Sequence, residues 1–200
     1  MALCQQVYCS KCGEEYLAVV SLDVPPVVES ICPKCKRLQE DQKRVVKVLM
    51  EYIKKDITTV TMGVIAHGCN CQGVMGSGVA KAIRDKWPGA YEAYKRMPIG
   101  RTMLGTAQVV NVDDQDQLFI ANCFTQIFYG KNGRFADPTA IERSLNHAYE
   151  WADLYCLPIY MPKIGAGLGG LDWETEVAPI VERVNNQWPR VETFVCLWNE

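Results

Sequence analysis

The chain has 200 residues, nearly half of them apolar, and 21 Lys/Arg stand against 23 Asp/Glu for a formal net charge of −2. That is enough apolar material for one medium core, or for a core plus a small module, and too little positive charge for a global pull on nucleic acid. No apolar run has the length of a membrane span, and residues 1–6 lack the basic and apolar stretches of a secretory signal. The chain therefore reads as cytoplasmic, with no membrane partner. Ten cysteines in that compartment point to metal ligands or buried thiols rather than disulfides.

From the N-terminus, Cys9-Ser10-Lys11-Cys12 and Cys32-Pro33-Lys34-Cys35 form two CxxC knuckles with 19 residues between them. Each knuckle offers two thiolates from one tight turn, and two knuckles complete a tetrahedron of soft ligands for Zn2+. Between them Tyr16, Leu17, Val19, Val20, Leu22 and Val24 give a partly alternating, strand-like pattern, and Pro25-Pro26 turns the chain. Residues 1–44 read as a zinc ribbon, too small to fold without its metal. Four cysteine ligands leave no open coordination position, so the zinc is structural. Six Lys/Arg balance six Asp/Glu within 1–44, which argues against nucleic acid as the ribbon's partner and leaves that partner unidentified. Cys4 is a bystander or a substitute ligand.

The charged stretch 40–44 is a linker, and residues 45–200 form a second domain. Residues 45–52 alternate as a strand, Asp56-Ile57-Thr58 starts a short connection, and residues 63–67 form a strand. That strand opens a glycine-rich loop, His67-Gly68-Cys69-Asn70-Cys71-Gln72-Gly73-Val74-Met75-Gly76-Ser77-Gly78-Val79. A helix over 77–87 follows, interrupted by Pro88-Gly89. Residues 107–112 and 118–124 are strands joined by the acidic turn 113–116. Asp137-Pro138 caps and starts a helix with Ile141, Leu145, Ala148 and Ala152 as its buried stripe. Residues 158–161 form a strand into a second glycine loop, Lys163-Ile164-Gly165-Ala166-Gly167-Leu168-Gly169-Gly170-Leu171-Asp172. Asp172 caps a helix with Val177, Ile180, Val181 and Val184 inward, and residues 191–198 close the chain as a strand.

Strands interleaved with amphipathic helices imply a three-layer α/β/α sandwich on a mixed sheet. A strand, a glycine loop and a helix N-terminus together make an anion site, because backbone N–H groups and the helix dipole face the ligand. Two such loops suit a ligand with two phosphates, or a phosphate and a ribose. No GxxxxGK[ST] motif is present, and neither loop fits GxGxxG within a first βαβ unit. No Cys-x5-Arg follows Cys69 or Cys71, so Cys69, Cys71 and Cys123 read as buried packing, as do Cys156 and Cys196. His147, in an amphipathic helix, reads as surface or packing.

Four segments in order resemble the macrodomain, the ADP-ribose-binding fold: Lys55-Asp56-Ile57-Thr58, the first glycine loop with Asn70, Asn122-Cys123-Phe124-Thr125-Gln126, and the second glycine loop. The resemblance covers about residues 45–200. The run Cys69-Asn70-Cys71-Gln72-Gly73, with His67 three residues before Asn70, is similar to the ADP-ribose 1''-phosphate phosphatases. Gly73-Val74-Met75-Gly76 with the second loop is similar to the macrodomains of DNA ADP-ribose glycohydrolase antitoxins. Those enzymes carry a lysine where this chain has Gln126, and a glutamine supplies neither a covalent adduct nor a positive charge.

The resemblance thus implies hydrolysis of ADP-ribose 1''-phosphate to ADP-ribose and phosphate, with no catalytic cofactor. The alternatives are removal of ADP-ribose from protein or nucleic acid, or non-catalytic reading of ADP-ribose with the ribbon as recruiter. Asp56, beside Ile57, accepts from the adenine amino group, and Phe124 or Phe128 stacks on adenine. Gly73, Val74, Met75, Gly76, Ser77, Gly78 and Val79 wrap the diphosphate and distal ribose. Gly165, Ala166, Gly167, Leu168 and Gly169 hold the diphosphate from the other side, with Gln126 nearby. Asn70 hydrogen-bonds the distal ribose, and His67 is a general acid or positions water, unless it is a structural strand histidine.

Overall fold

The computed structural model describes residues 2–8, 15–21, 50–113, 115 and 117–197. The chain divides into two units, Met1–Val46 and Lys47–Glu200. In the first, β1 (Ala2–Tyr8) and β2 (Glu15–Ser21) pair antiparallel from Ala2↔Ser21 to Tyr8↔Glu15. The expected alternation thus becomes strand β2, and β1 is an addition to the sequence reading. Cys9, Cys12, Cys32 and Cys35, with the ribbon they were expected to build, lie outside the described residues.

The second unit is built on six strands: β3 (Glu51–Lys54), β4 (Gly63–Asn70), β5 (Ala107–Asn111), β6 (Leu118–Gln126), β7 (Ile159–Met161) and β8 (Thr193–Leu197). Their spatial order is β3-β8-β7-β4-β6-β5. Every neighbouring pair is parallel except β5–β6, so the sheet is mixed, as expected. β4 and β6 are buried along nearly their whole length because both faces of a parallel sheet are covered. On one face Val64, Ala66, Phe119 and Ala121 pack under α3 (Pro138–Leu154) and α4 (Ala178–Gln187), through Ile141, Leu145, Val181 and Val184. On the other, Ile65 and Ile120 meet Ile83 of α1 (Gly78–Lys86) and Ala90 of α2 (Pro88–Lys95). That is the three-layer sandwich.

The interruption expected at Pro88-Gly89 is present: α1 ends at Lys86, and Pro88 occupies the first turn of a new helix, α2, where a missing N–H costs nothing. Asp172 caps as expected, its carboxylate accepting from Thr175 N–H at 2.8 Å, but it opens a wide turn over Trp173–Val177 before α4 begins. Among the described residues no helix is long and apolar enough to cross a membrane. Because β3, β4, β6 and β7 run parallel, the segments that follow them all emerge at one edge of the sheet. That edge is where a ligand of an open α/β sheet binds.

Candidate functional site

The first glycine loop leaves β4 at Asn70 and is shaped from within. Asn70 is almost fully buried, and its Oδ1 accepts from Gln72 N–H at 2.9 Å and Val74 N–H at 3.3 Å. Its Nδ2 donates to Val74 O at 2.6 Å. The Tyr94 hydroxyl, rising from α2, donates to Asn70 O at 2.7 Å and accepts from Val74 N–H at 3.1 Å. The Gly73 N–H also faces that hydroxyl. Asn70 thus braces the loop with the same amide that the sequence reading directs to the distal ribose. Met75 and Ile57 are core side chains and Val79 packs on the core, so these three approach a ligand only through their backbone.

What the loop offers outward is N–H. Gly76, Ser77 and Gly78 are exposed, and among the described residues their N–H groups make no hydrogen bond. The first intrahelical bond of α1 runs from Lys81 N–H to Ser77 O, and the Ser77 side chain makes no capping bond. The N-terminus of α1 is therefore open, with its unpaired donors and positive dipole end beside the loop.

The second loop leaves β7 and is held by its own turns. Leu171 N–H reaches back to Gly165 O at 3.1 Å, and Gly169 O accepts from Phe135 and Ala136 N–H at 2.9 and 3.0 Å. The packing is close enough to require glycine: a Cβ on Gly169 would lie 2.4 Å from Gly165 O, and one on Gly170 (φ 76) 2.2 Å from Gly133 O. Ala166 N–H is engaged with Lys163 O and Gly169 is buried. Gly167 and Leu168 are exposed, and among the described residues their N–H groups make no hydrogen bond. β4 and β7 are adjacent and parallel, so both loops open on the same edge.

His67 is not at that edge. It is 1% exposed in the middle of β4. Its Nε2–H donates to Asn122 Oδ1 at 2.8 Å. Asn122 is oriented by its own amide, which donates to Ala90 O at 3.2 Å and Gln108 Oε1 at 3.1 Å, and Gln108 donates to Ala93 O at 3.0 Å. Burial, only partly offset by the Asn122 bond, pulls the His67 pKa down from 6.5 to about 4. A buried ring held this way fits the structural strand histidine that the sequence also allowed, with Cys69 Sγ of the first loop 3.8 Å from it. Burial likewise pushes the thiols of Cys69, Cys71 and Cys123 up, the last to about 12, which agrees with packing rather than nucleophilic roles. Cys196 is buried as expected; Cys156 is exposed with φ 54 at the end of α3, not in the core.

At the β3 end of the same edge, Asp56 Oδ1 accepts from Thr58 N–H at 2.8 Å and Thr58 Oγ1 at 2.7 Å. Both bonds fall on one oxygen, and among the described residues the other carboxylate oxygen has no hydrogen-bond donor. Phe124 is 1% exposed and stacked on Tyr94 at 5.6 Å between ring centroids, so it has no face for adenine. Phe128, by contrast, is 58% exposed. Gln126 ends β6; its Nε2 donates to Phe128 O at 2.8 Å and its carbonyl accepts from Cys71 N–H at 2.9 Å. Tyr94, Asn122 and Arg84 were not anticipated. The Ala90/Tyr94 spacing of four, on the helix that begins at Pro88, was the available signal for Tyr94.

A family model described as "Macro domain" matches residues 66–181. A protein of Debaryomyces hansenii named ADP-ribose 1''-phosphate phosphatase is 28% identical, over 69% of this chain and 95% of its own length. One of Candida albicans with the same name is 31% identical, over 67% of this chain and 93% of its own. Among solved structures, the macrodomain of Mycobacterium tuberculosis DarG superposes with a TM-score of 0.62 at 24% identity, covering 75% of this chain and 97% of that one.

Proposed function

This chain belongs to the Macro domain family, and we propose that it binds ADP-ribose between its two glycine loops and hydrolyses ADP-ribose 1''-phosphate to ADP-ribose and phosphate. The observation that carries the reading is the pair of outward N–H sets, Gly76–Ser77–Gly78 and Gly167–Leu168, on adjacent parallel strands. A diphosphate is the ligand such donors fit, since each N–H bonds an anionic oxygen without a counter-charge to desolvate. Relatives of similar length that are named for the phosphatase activity support the choice of reaction.

In the proposed reaction a water oxygen bonds to phosphorus and the bond from phosphorus to the sugar 1''-oxygen breaks. The electron pair leaves with that oxygen, which takes up the proton that water gives up. Loop 1 and the open N-terminus of α1 stabilise the negative charge on the phosphoryl oxygens with dipoles already in place before reaction. Asp56 reads the adenine amino group, and Phe128 is the aromatic placed to stack. Cys9, Cys12, Cys32 and Cys35 would hold a structural Zn2+ by thiolate ligation.

Isothermal titration with ADP-ribose, then phosphate release from ADP-ribose 1''-phosphate on the same sample, tests the reading. Binding with release is the expected result. Binding without release makes the chain a reader or a hydrolase of another ADP-ribose linkage, and no binding removes the proposal.

A further inference from the structure

We infer that Arg84 is a positioning residue for the anion site: it sets the orientation of the Met75–Gly76 peptide and so aims the first outward N–H of loop 1. The inference rests on the ADP-ribose reading above. Arg84 lies on the second turn of α1 and its Nη1 donates to Met75 O at 2.8 Å. Peptide planes are trans throughout the described residues, and in a trans peptide C=O and N–H point to opposite sides. Fixing Met75 O towards the guanidinium therefore turns Gly76 N–H away from it. Gly76 is exposed, and its own side offers no steric guidance: a Cβ there would meet only Val74 Cγ1, at 3.7 Å. Without the arginine this peptide has freedom to rotate, and a donor that must be ordered on binding costs affinity.

The guanidinium is itself fixed on three sides. Its Nε and Nη2 donate to Asp85 Oδ1 at 3.0 and 2.8 Å, and its carbon sits 5.9 Å from the centre of the Tyr91 ring. A planar fork satisfies backbone, carboxylate and ring together, and an ammonium does not. One peptide earlier, Val74 O is held by Asn70 Nδ2. Asn70 and Arg84 thus fix successive carbonyls of the loop, the first from the strand and the second from the helix.

The test is ADP-ribose affinity and phosphate-release kinetics of Arg84→Met and Arg84→Lys in the full-length protein, with adenosine titrated by NMR as a ligand lacking phosphate. For Arg84→Met the expected result is a rise of about tenfold in the Kd for ADP-ribose, a matching rise in KM, and unchanged adenosine binding. Arg84→Lys, which keeps the charge and loses the fork, is expected to fall between, at about threefold. Wild-type affinity in both variants overturns the inference. So does a loss of adenosine binding in step with ADP-ribose, which marks general damage to the fold. If the wild-type protein fails to bind ADP-ribose at all, the underlying reading falls first; if it binds and the variants match it, only the role of Arg84 falls.

Discussion

His67 shows how a single residue is decided by its surroundings rather than its type. Its ring is hydrogen-bonded to Asn122 and almost fully buried. Its native pKa of about 4 lies below the ordinary 6.5, so between those values the unfolded chain binds a proton that the native chain refuses. Stability from this group is complete above pH 6.5 and is lost as pH falls towards 4, by about 3 kcal/mol in all. Urea unfolding of wild type and His67→Gln at pH 7, 5.5 and 4.5 should show the steeper fall in the wild type, with phosphate release in the variant within a few-fold at pH 7. Parallel stability curves would refute the lowered pKa, and a variant that folds but is inactive would make His67 catalytic. Tyr94 makes the complementary case. Tyr94→Phe removes a donor to Asn70 O and one of the two acceptors of Val74 N–H and should cost ~1–2 kcal/mol. It should also weaken ADP-ribose several-fold, read by thermal melting and titration; an unchanged affinity would mean that the loop keeps its shape without the hydroxyl.

At the scale of elements, the two glycine loops were legible because glycine runs between a buried strand and a helix have few other uses. Most strand and helix positions followed from periodicity, but the strand expected over 45–52 is described at Glu51–Lys54 and the helix α2 had no counterpart in the reading; the Asp137 and Asp172 caps followed from their position before apolar stripes. What the sequence concealed was which loop atoms face outward. Asn70 and Ala166 lie within the expected site, yet their polar groups are engaged by the loops themselves. Phe124 reads like Phe128 in sequence but points into the core. Such distinctions arise from contacts with α2 and from the segment after β6, which no local pattern encodes. The glycines of loop 2 separate in the same way. Gly169→Ala forces a Cβ against Gly165 O, whereas Gly167→Ala meets open space at an ordinary φ. The first should lower stability by ~1–3 kcal/mol and abolish tight binding. The second should leave the melting temperature within a degree or two and alter affinity alone. Equal melting temperatures for the two variants would refute the packing described for this loop.

For the whole molecule, the units Met1–Val46 and Lys47–Glu200 make different demands on the physics of folding. The larger closes a core of its own, with both faces of a six-stranded sheet covered. The smaller is below the size at which apolar burial alone outweighs chain entropy. The proposed Zn2+ would supply the difference, because thiolate ligation in a folded state contributes directly to folding free energy. Chelation should therefore erase structure in the first unit while the second keeps its transition. ADP-ribose identifies that transition, since a ligand bound only to the native state raises its midpoint by an amount that grows with the logarithm of concentration. Calorimetry with and without chelator, each with and without ADP-ribose, resolves the two. The expected record is one transition removed by the chelator and another, ligand-shifted, left in place. A ligand-shifted transition that drops by many degrees on chelation would show that zinc supports the ADP-ribose site itself.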